Sequence, residues 1–343
     1  MRHLEIIKCV AGAGKTTESI NYLKENHNGL YLAYTNSVVD KIKYKGYLSK
    51  TIDSLFLNYI IPKFVNVIPI IAKNSKIKYV DSNNLKDYQK SILNISIKDN
   101  GDIYNKSKKT FFSLNTKNED LHKNNKILNQ KVLAQIFLKD SLLITQNLLD
   151  DISNFIIKNY KEEIKFIMQS RFSYVIIDEA QDLKGFREEF AQLLLDSNIS
   201  LIIFGDDNQN IINHGKWFES QNATKNKYFS HRCPENICKW IRNNLEINIE
   251  GNDNNYDCYK IEKREIEKLN DGQRVLLYVK KTDSIEELLK KWKGQKFTIK
   301  TAKGSTIYDD IVIIGDNMNK KNLYTALTRT TKNAYFTIKK ISD

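Results

Sequence analysis

Leu4-Glu5-Ile6-Ile7-Lys8-Cys9-Val10-Ala11-Gly12-Ala13-Gly14-Lys15-Thr16-Thr17 is the stretch that decides the fold. A mostly apolar, strand-like run enters a glycine-rich turn, and Glu18 to Lys24 continues it as an amphipathic helix. Strand, small-residue loop and helix start, in that order, make a phosphate cradle: glycines let backbone N–H groups close around an anion, and the helix N-terminus adds partial positive charge. Ala11, Gly12, Ala13, Gly14, Lys15, Thr16 and Thr17 form the candidate cradle, with Lys15 reaching the β and γ phosphates and Thr16 ligating Mg²⁺. The full pattern wants glycine at position 9, where this chain has Cys9, so the turn must accept a side chain there.

Outward from this loop the same alternation recurs. Leu30–Tyr34, Tyr174–Asp178 and Leu201–Gly205 are short, nearly continuous apolar runs, as expected of strands covered by helices on both faces. Val275–Val279, Lys296–Lys300, Ile311–Gly315 and Ala334–Ile338 repeat it near the C-terminus, with helices expected over Ser284–Trp292 and Asn322–Thr328. The class is α/β, with parallel sheets of βαβ units. Between about residues 57 and 170 the alternation stops, which reads as an insertion: a Lys/Asn-rich stretch, then a helical one over Val132–Met168. Asn74–Lys78 and Asn124–Asn129 read as exposed loops or partly disordered pieces. A polar segment, Gln221–Lys227, marks the expected boundary between domains 1–225 and 226–343.

Two further strands end in chemistry. Tyr174-Val175-Ile176-Ile177-Asp178-Glu179-Ala180-Gln181-Asp182 places Asp178 to hold Mg²⁺ through water and Glu179 to orient or deprotonate an attacking water. Gly205-Asp206-Asp207-Asn208-Gln209 puts the Gln209 amide beside those acids at the carboxyl edge of the sheet, where ligands of open α/β sheets bind. Only eight of the 54 basic residues are arginine, and Arg232 and Arg329 lie near the expected start of one helix and end of another. A planar, permanently charged fork suits γ-phosphate charge across a domain cleft.

On these residues the chain resembles superfamily 1 helicases of the UvrD/Rep type. DEAQD and GDxxQ are similar to that family's second and third motifs, and the others follow in order. Tyr34-Thr35-Asn36 and Thr51-Ile52-Asp53-Ser54-Leu55 resemble the strand-contacting segments, with Asp53 where histidine is usual. Ser230-His231-Arg232-Cys233-Pro234, Lys300-Thr301-Ala302-Lys303-Gly304-Ser305-Thr306 and Leu323-Tyr324-Thr325-Ala326-Leu327-Thr328-Arg329 resemble the segments that close the site from the second domain. The resemblance implies two RecA-like domains and ATP hydrolysis with Mg²⁺. It makes Lys15, Asp178, Glu179, Gln209, Arg232 and Arg329 the catalytic set and adds Gly304 to the nucleotide contacts. Thr35, Asn36, Thr51, Ser54, His214 and Thr301 are the implied nucleic-acid contacts.

The departures are specific. Only three residues precede the first strand, which leaves out the glutamine segment that reads adenine in many relatives. His231 replaces the base-stacking tyrosine, and Ile212 and His214 replace an aromatic pair, with Trp217 nearby as a substitute platform or a core residue. Ser305-Thr306 in place of Leu-Glu resembles viral-type superfamily 1 helicases, and about 40 residues between Arg232 and Val275 leave no room for a large second-domain insertion.

Charge and cysteine content bound the rest. Lys plus Arg number 54 against 41 acids, a net +13 that favours a polyanionic partner such as single-stranded or tailed nucleic acid, DNA ahead of RNA; a Lys/Asn compositional bias is the alternative. Residues 57–130 carry 13 Lys against 6 acids, with Lys106, Lys108 and Lys109 the tightest cluster. The four cysteines form no CxxC pair, and no apolar run approaches the roughly 18 residues that span a bilayer. The reading is a cytosolic motor, in a bacterial, phage or viral replication setting. Its rivals are a nucleotide-gated single-strand binder that does not unwind, or does so only with a protein partner, and a phosphotransferase, against which GDxxQ and the LTR segment argue.

Overall fold

Continuous apolar runs build the strands, because both faces of each are buried: Tyr174–Ile177 is buried throughout and Ser200–Gly205 at every position but the first. The computed structural model describes residues 2–25, 28–64, 76–81, 83, 95–97, 103–105, 110–112, 137–138, 141–212 and 215–342. They fall into two compact units, one of Met1–Ser49, Tyr174–Lys184 and Ser200–Asp343, the other of Lys50–Ser173 and Gly185–Ile199.

The first unit holds both expected sheets, apart from the last two residues of the edge strand β3, which fall in the second unit. In chain order the strands of the first are β1 (Leu4–Cys9), β2 (Gly29–Ala33), β3 (Ser49–Thr51), β4 (Tyr174–Ile177), β5 (Ser200–Gly205) and β6 (Lys225–Lys227), arranged β6-β1-β5-β4-β2-β3. The pairs β6–β1, β1–β5, β5–β4 and β4–β2 are all parallel. The second sheet runs β7 (Cys258–Lys260), β8 (Val275–Tyr278), β9 (Lys296–Thr298), β10 (Ile311–Asn319) and β11 (Ala334–Ser342), arranged β7-β11-β10-β8-β9 and parallel throughout. One apolar cluster joins Ile7, Ile176, Ile202 and Phe204 of the first sheet to Val275, Leu277, Ile311 and Ile313 of the second.

Parallel strands aim their carboxyl ends at one edge. Register pairs Lys8 with Gly205 and Ile177 with Ile203, so the loops after β1, β4 and β5 emerge side by side. Gly205 is required by packing: a Cβ there would lie 2.3 Å from the Phe218 ring. The polar segment Gln221–Lys227 is no free linker, since Thr224 bonds both N–H and carbonyl of Ile6, and Lys225–Lys227 pairs with β1.

The second unit carries the insertion. Its described residues include helices Gln146–Asn159, Lys161–Arg171 and Phe186–Leu195 and two small three-stranded sheets. Of the helix expected over Val132–Met168, the described residues hold Gln146–Asn159 and the start of Lys161–Arg171, while Phe137–Leu138 and Ser141–Ile144 are strand; the latter runs parallel to Lys76–Tyr79, so residues 76–78, read as loop, are also strand. Short apolar runs of this length do not separate strand from helix by periodicity. Arg187 forms a two-pronged ion pair with Asp53 (2.6 and 2.7 Å) and reaches Asp150 at 3.2 Å. Asp53, in the position where histidine is usual, therefore holds a cation within this unit.

Candidate active site

Local chemistry sets the loop after β1. Gly12 and Gly14 have φ of +78° and +82°, the left-handed region that favours glycine, and the helix Lys15–Glu25 starts at once behind them. Gly12 is also closely approached: a Cβ would lie 2.6 Å from Ser230 Oγ and 2.9 Å from Arg232 Cβ. The backbone N–H of His231 donates to Gly12 O at 2.9 Å, so the strand carrying Arg232 (Phe229–Pro234) is laid directly on the loop.

Together these elements enclose a cavity of about 510 Å³. The whole cradle Ala11, Gly12, Ala13, Gly14, Lys15, Thr16 and Thr17 lines it, with Glu179, Gln209, Arg232, Gly304 and Arg329. Every catalytic and nucleotide-contacting residue expected from the sequence is there except Asp178. That residue is buried (1 % exposed), its Oδ2 accepting from the Tyr31 hydroxyl and its Oδ1 from the Glu179 N–H at 2.8 Å.

The lining fits a polyphosphate. It has four cations, Lys15, Lys41, Arg232 and Arg329, against one carboxylate, Glu179. Buried Arg232 Nε has no acceptor, and its Nη1 makes only long contacts, 3.3 Å, to Ser305 O and Thr306 Oγ1. Burial, then the neighbouring Arg232 charge, brings Arg329 down to about 9. Two crowded guanidiniums and an orphaned donor are relieved by an anion bound between them. Among the described residues no three His, Cys, Asp or Glu side chains group as metal ligands, so Mg²⁺ would take most of its ligands from phosphate and water, beside Thr16 and Asp178.

Charge state divides the two acids. Burial would raise Glu179, but Lys15, 3.3 Å away, and then Lys303 hold it at about 2, with a 2.6 Å hydrogen bond from Gln181. Burial and the adjacent Glu179 charge push Asp178 up. Glu179 sits in the left-handed region (φ 55°), which turns its carboxylate out of the strand line into the cavity wall.

The second sheet's side of the site is held by hydrogen bonds. Arg329 is 2 % exposed; its Nε donates to Thr325 O at 2.9 Å and its Nη2 to Gln209 Oε1 at 3.0 Å. Lys303 donates to both Asp182 oxygens and to Gln209 O, each at 2.6 Å, a buried pair in which desolvation lifts Asp182 to about 6 despite the ammonium. The Tyr324 hydroxyl accepts from Ala11 N and donates to Asp206. Tyr31, Lys41, Tyr308 and Thr331 were not singled out from the sequence. Lys303, Asp182 and Tyr324 stood inside motifs without a role; their burial, which demands partners, was the missing signal.

The expected nucleic-acid contacts are not all brought together. Thr35 precedes the helix Asn36–Tyr44 as its N-cap, with Asn36 exposed, and Thr301 is exposed with its hydroxyl 2.7 Å from Thr298 Oγ1. Thr51 and Ser54 belong to the other unit, where Thr51 Oγ1 accepts from Ser54 N at 3.1 Å. His214, Lys106, Lys108 and Lys109 lie outside the described residues. Trp217 is half-buried, while Phe218 beside it is the core residue at 1 % exposure.

Comparison with known proteins agrees with the motifs. Residues 6–216 match the family model described as the UvrD/REP helicase N-terminal domain, and residues 129–337 match the viral superfamily 1 RNA helicase core domain. Similar solved structures include the PRRSV helicase (12 % identity, 97 % of this chain and 52 % of that one, TM-score 0.47). Another is arterivirus nonstructural protein 10 (helicase) in complex with DNA (11 % identity, 97 % and 60 %, TM-score 0.47). This chain thus spans between half and three-fifths of their length. No curated protein sequence matches.

Proposed function

Because the chain belongs to the superfamily 1 helicases, we propose that it hydrolyses ATP to move along single-stranded nucleic acid, DNA in the first place, and to separate duplexes. The observation that carries this is that Lys15 and Glu179, which follow β1 and β4 of the first sheet, line one cavity with Arg232, on the strand Phe229–Pro234, and Arg329, which precedes β11 of the second sheet. An ATPase that needs both lobes at its reacting phosphate turns over only when they close, and closure and release displace one lobe along a bound strand. The lobes proposed are residues 1–225, with the insertion 57–170, and 226–343.

In this reading the N–H groups of residues 12–16 and the Lys15 ammonium bind the phosphates, and Thr16 with Asp178 would hold Mg²⁺. The ion supplies neutralisation of the β,γ-bridging charge when bound. Lys15, drawn to phosphate, leaves Glu179 without the partner that most lowers its pKa, so the carboxylate becomes a stronger base for the proton of the attacking water. Gln209 orients that water, and Arg232 and Arg329 meet the charge that develops on the γ-phosphoryl oxygens. Thr35, Asn36, Thr51, Ser54, His214 and Thr301 are proposed to contact the strand.

A nucleotide-gated binder that does not unwind is the second reading. It is favoured by the short connection from Arg232 to β8, which among the described residues holds the helix Glu235–Leu245, the short strands Glu250–Asn252 and β7, the 3₁₀ helix Lys263–Leu269 and no accessory module. Strand displacement on DNA and RNA duplexes with 5′ or 3′ single-stranded tails separates the two. ATP-dependent displacement with one polarity supports the motor; strand-stimulated hydrolysis without displacement supports the binder; no hydrolysis with any strand refutes both.

A further inference from the structure

We propose that Tyr324 is a positioning residue, whose hydroxyl locks the orientation of Gln209 and through it the reach of Arg329 while clamping the phosphate loop; this rests on the ATPase reading above. Tyr324 is fully buried on the helix Lys320–Leu327, whose start is fixed by Asn319 accepting from Asn322 N at 2.8 Å. Its hydroxyl accepts from Ala11 N at 3.0 Å and donates to Asp206 Oδ2 at 2.9 Å. The same Oδ2 accepts from Gln209 Nε2 at 2.8 Å, and Gln209 Oε1 accepts from Arg329 Nη2 at 3.0 Å. Arg329 closes the circuit, since its Nε bonds Thr325 O on the helix that carries Tyr324.

The direction of each bond follows from chemistry. A carboxylate oxygen only accepts, so Tyr324 and Gln209 must both donate to Asp206. Gln209, with its amide N–H committed there, presents its carbonyl oxygen to Arg329. Tyr324, with its proton committed, presents a lone pair to Ala11. A phenol is both donor and acceptor, and phenylalanine is neither. Asp206 is 2 % exposed, and the side-chain and backbone groups bonded to its carboxylate are neutral: Tyr324, Gln209 and the Asn208 N–H. Losing one of three donors is therefore felt by the rest. Tyr324→Phe also leaves the buried Ala11 N–H without its acceptor.

The test is a double-mutant cycle of Tyr324→Phe with Gln209→Ala, read as kcat and KM for ATP at saturating single strand. If Tyr324 acts through Gln209, Tyr324→Phe lowers kcat about tenfold or more with KM changed less than about threefold, the factor a hydrogen bond to a charged group carries. In the Gln209→Ala background it then lowers kcat no further, and the loss of the Ala11 contact is left to show in KM alone. Full additivity, or a raised KM at wild-type kcat, would overturn the proposal and leave a purely structural clamp. Should Tyr324→Phe fail to fold, Asp206→Asn probes the same link with the same expected kcat loss and the same non-additivity, and additivity there refutes it. Wild-type chain without ATPase activity would sink the function reading instead, so the two failures are distinct.

Discussion

Arg329→Ala separates catalysis from binding most sharply. The guanidinium donates to Gln209 Oε1 and Thr325 O, so truncation leaves two buried acceptors each short of a donor, a loss of about 1–3 kcal/mol of stability. Relief of the charge crowding with Arg232 acts in the opposite sense. Against a total of about 5–15 kcal/mol the variant folds. Its nucleotide affinity should stay within about threefold of wild type, because Lys15, the cradle and Arg232 remain. Turnover should fall about a thousandfold, or roughly 4 kcal/mol of transition-state stabilisation. Arg329→Lys should recover little, since an ammonium cannot span Thr325 O, Gln209 Oε1 and a phosphoryl oxygen together. The assay pairs steady-state phosphate release with fluorescent-nucleotide binding and a thermal melt. A folded variant that loses affinity and keeps its maximal rate would remove Arg329 from the catalytic role.

Lys15→Ala should abolish phosphate release while the chain stays folded, because it removes the ammonium that meets the phosphates and deprives Glu179 of its 3.3 Å partner; turnover near wild type would show that the loop does not hold the reacting phosphates. Gly205→Ala should cost about 1–3 kcal/mol by overpacking against Phe218, and Phe218→Leu should restore part of that in the double variant; equal melting temperatures for wild type and Gly205→Ala would contradict the packing argument. Neutralising Lys106, Lys108 and Lys109 together should weaken single-strand binding alike on all sequences and make its logarithmic salt slope shallower by roughly 0.7 for each phosphate no longer neutralised, with strand-free ATPase unchanged. An unaltered salt slope would return the charge of residues 57–130 to composition alone.

What was legible in the sequence was what backbone chemistry makes local. A phosphate cradle must be contiguous, so Ala11 to Thr17 declared itself, and the acids at strand ends followed because parallel strands aim their carboxyl ends at one edge. Arg232 and Arg329 were legible through family resemblance and arginine's rarity, and both line one cavity with Lys15. Pairings between distant residues carried no such signal. Asp53 looked like a departure from pattern, and only the fold shows that it faces Arg187, 134 positions away. Tyr31 read as one more apolar strand residue, yet its hydroxyl serves Asp178 across 147 positions.

The segment Gln221–Lys227, read as a polar boundary, contains a strand at a sheet edge. Its composition is polar, and among the described residues β6 is the outermost strand of its sheet, paired with β1 on one side. An edge strand is safer with charged side chains, lysine above all, because these discourage pairing with a second chain. Lys225 and Lys227 supply that charge, and both pair with Glu18 on the helix that starts from the phosphate loop. The same lysines that make the segment read as a boundary therefore brace the helix whose N-terminus holds the phosphate cradle. Polar sequence between two ordered blocks can thus be a strand wherever an adjacent helix offers it a carboxylate.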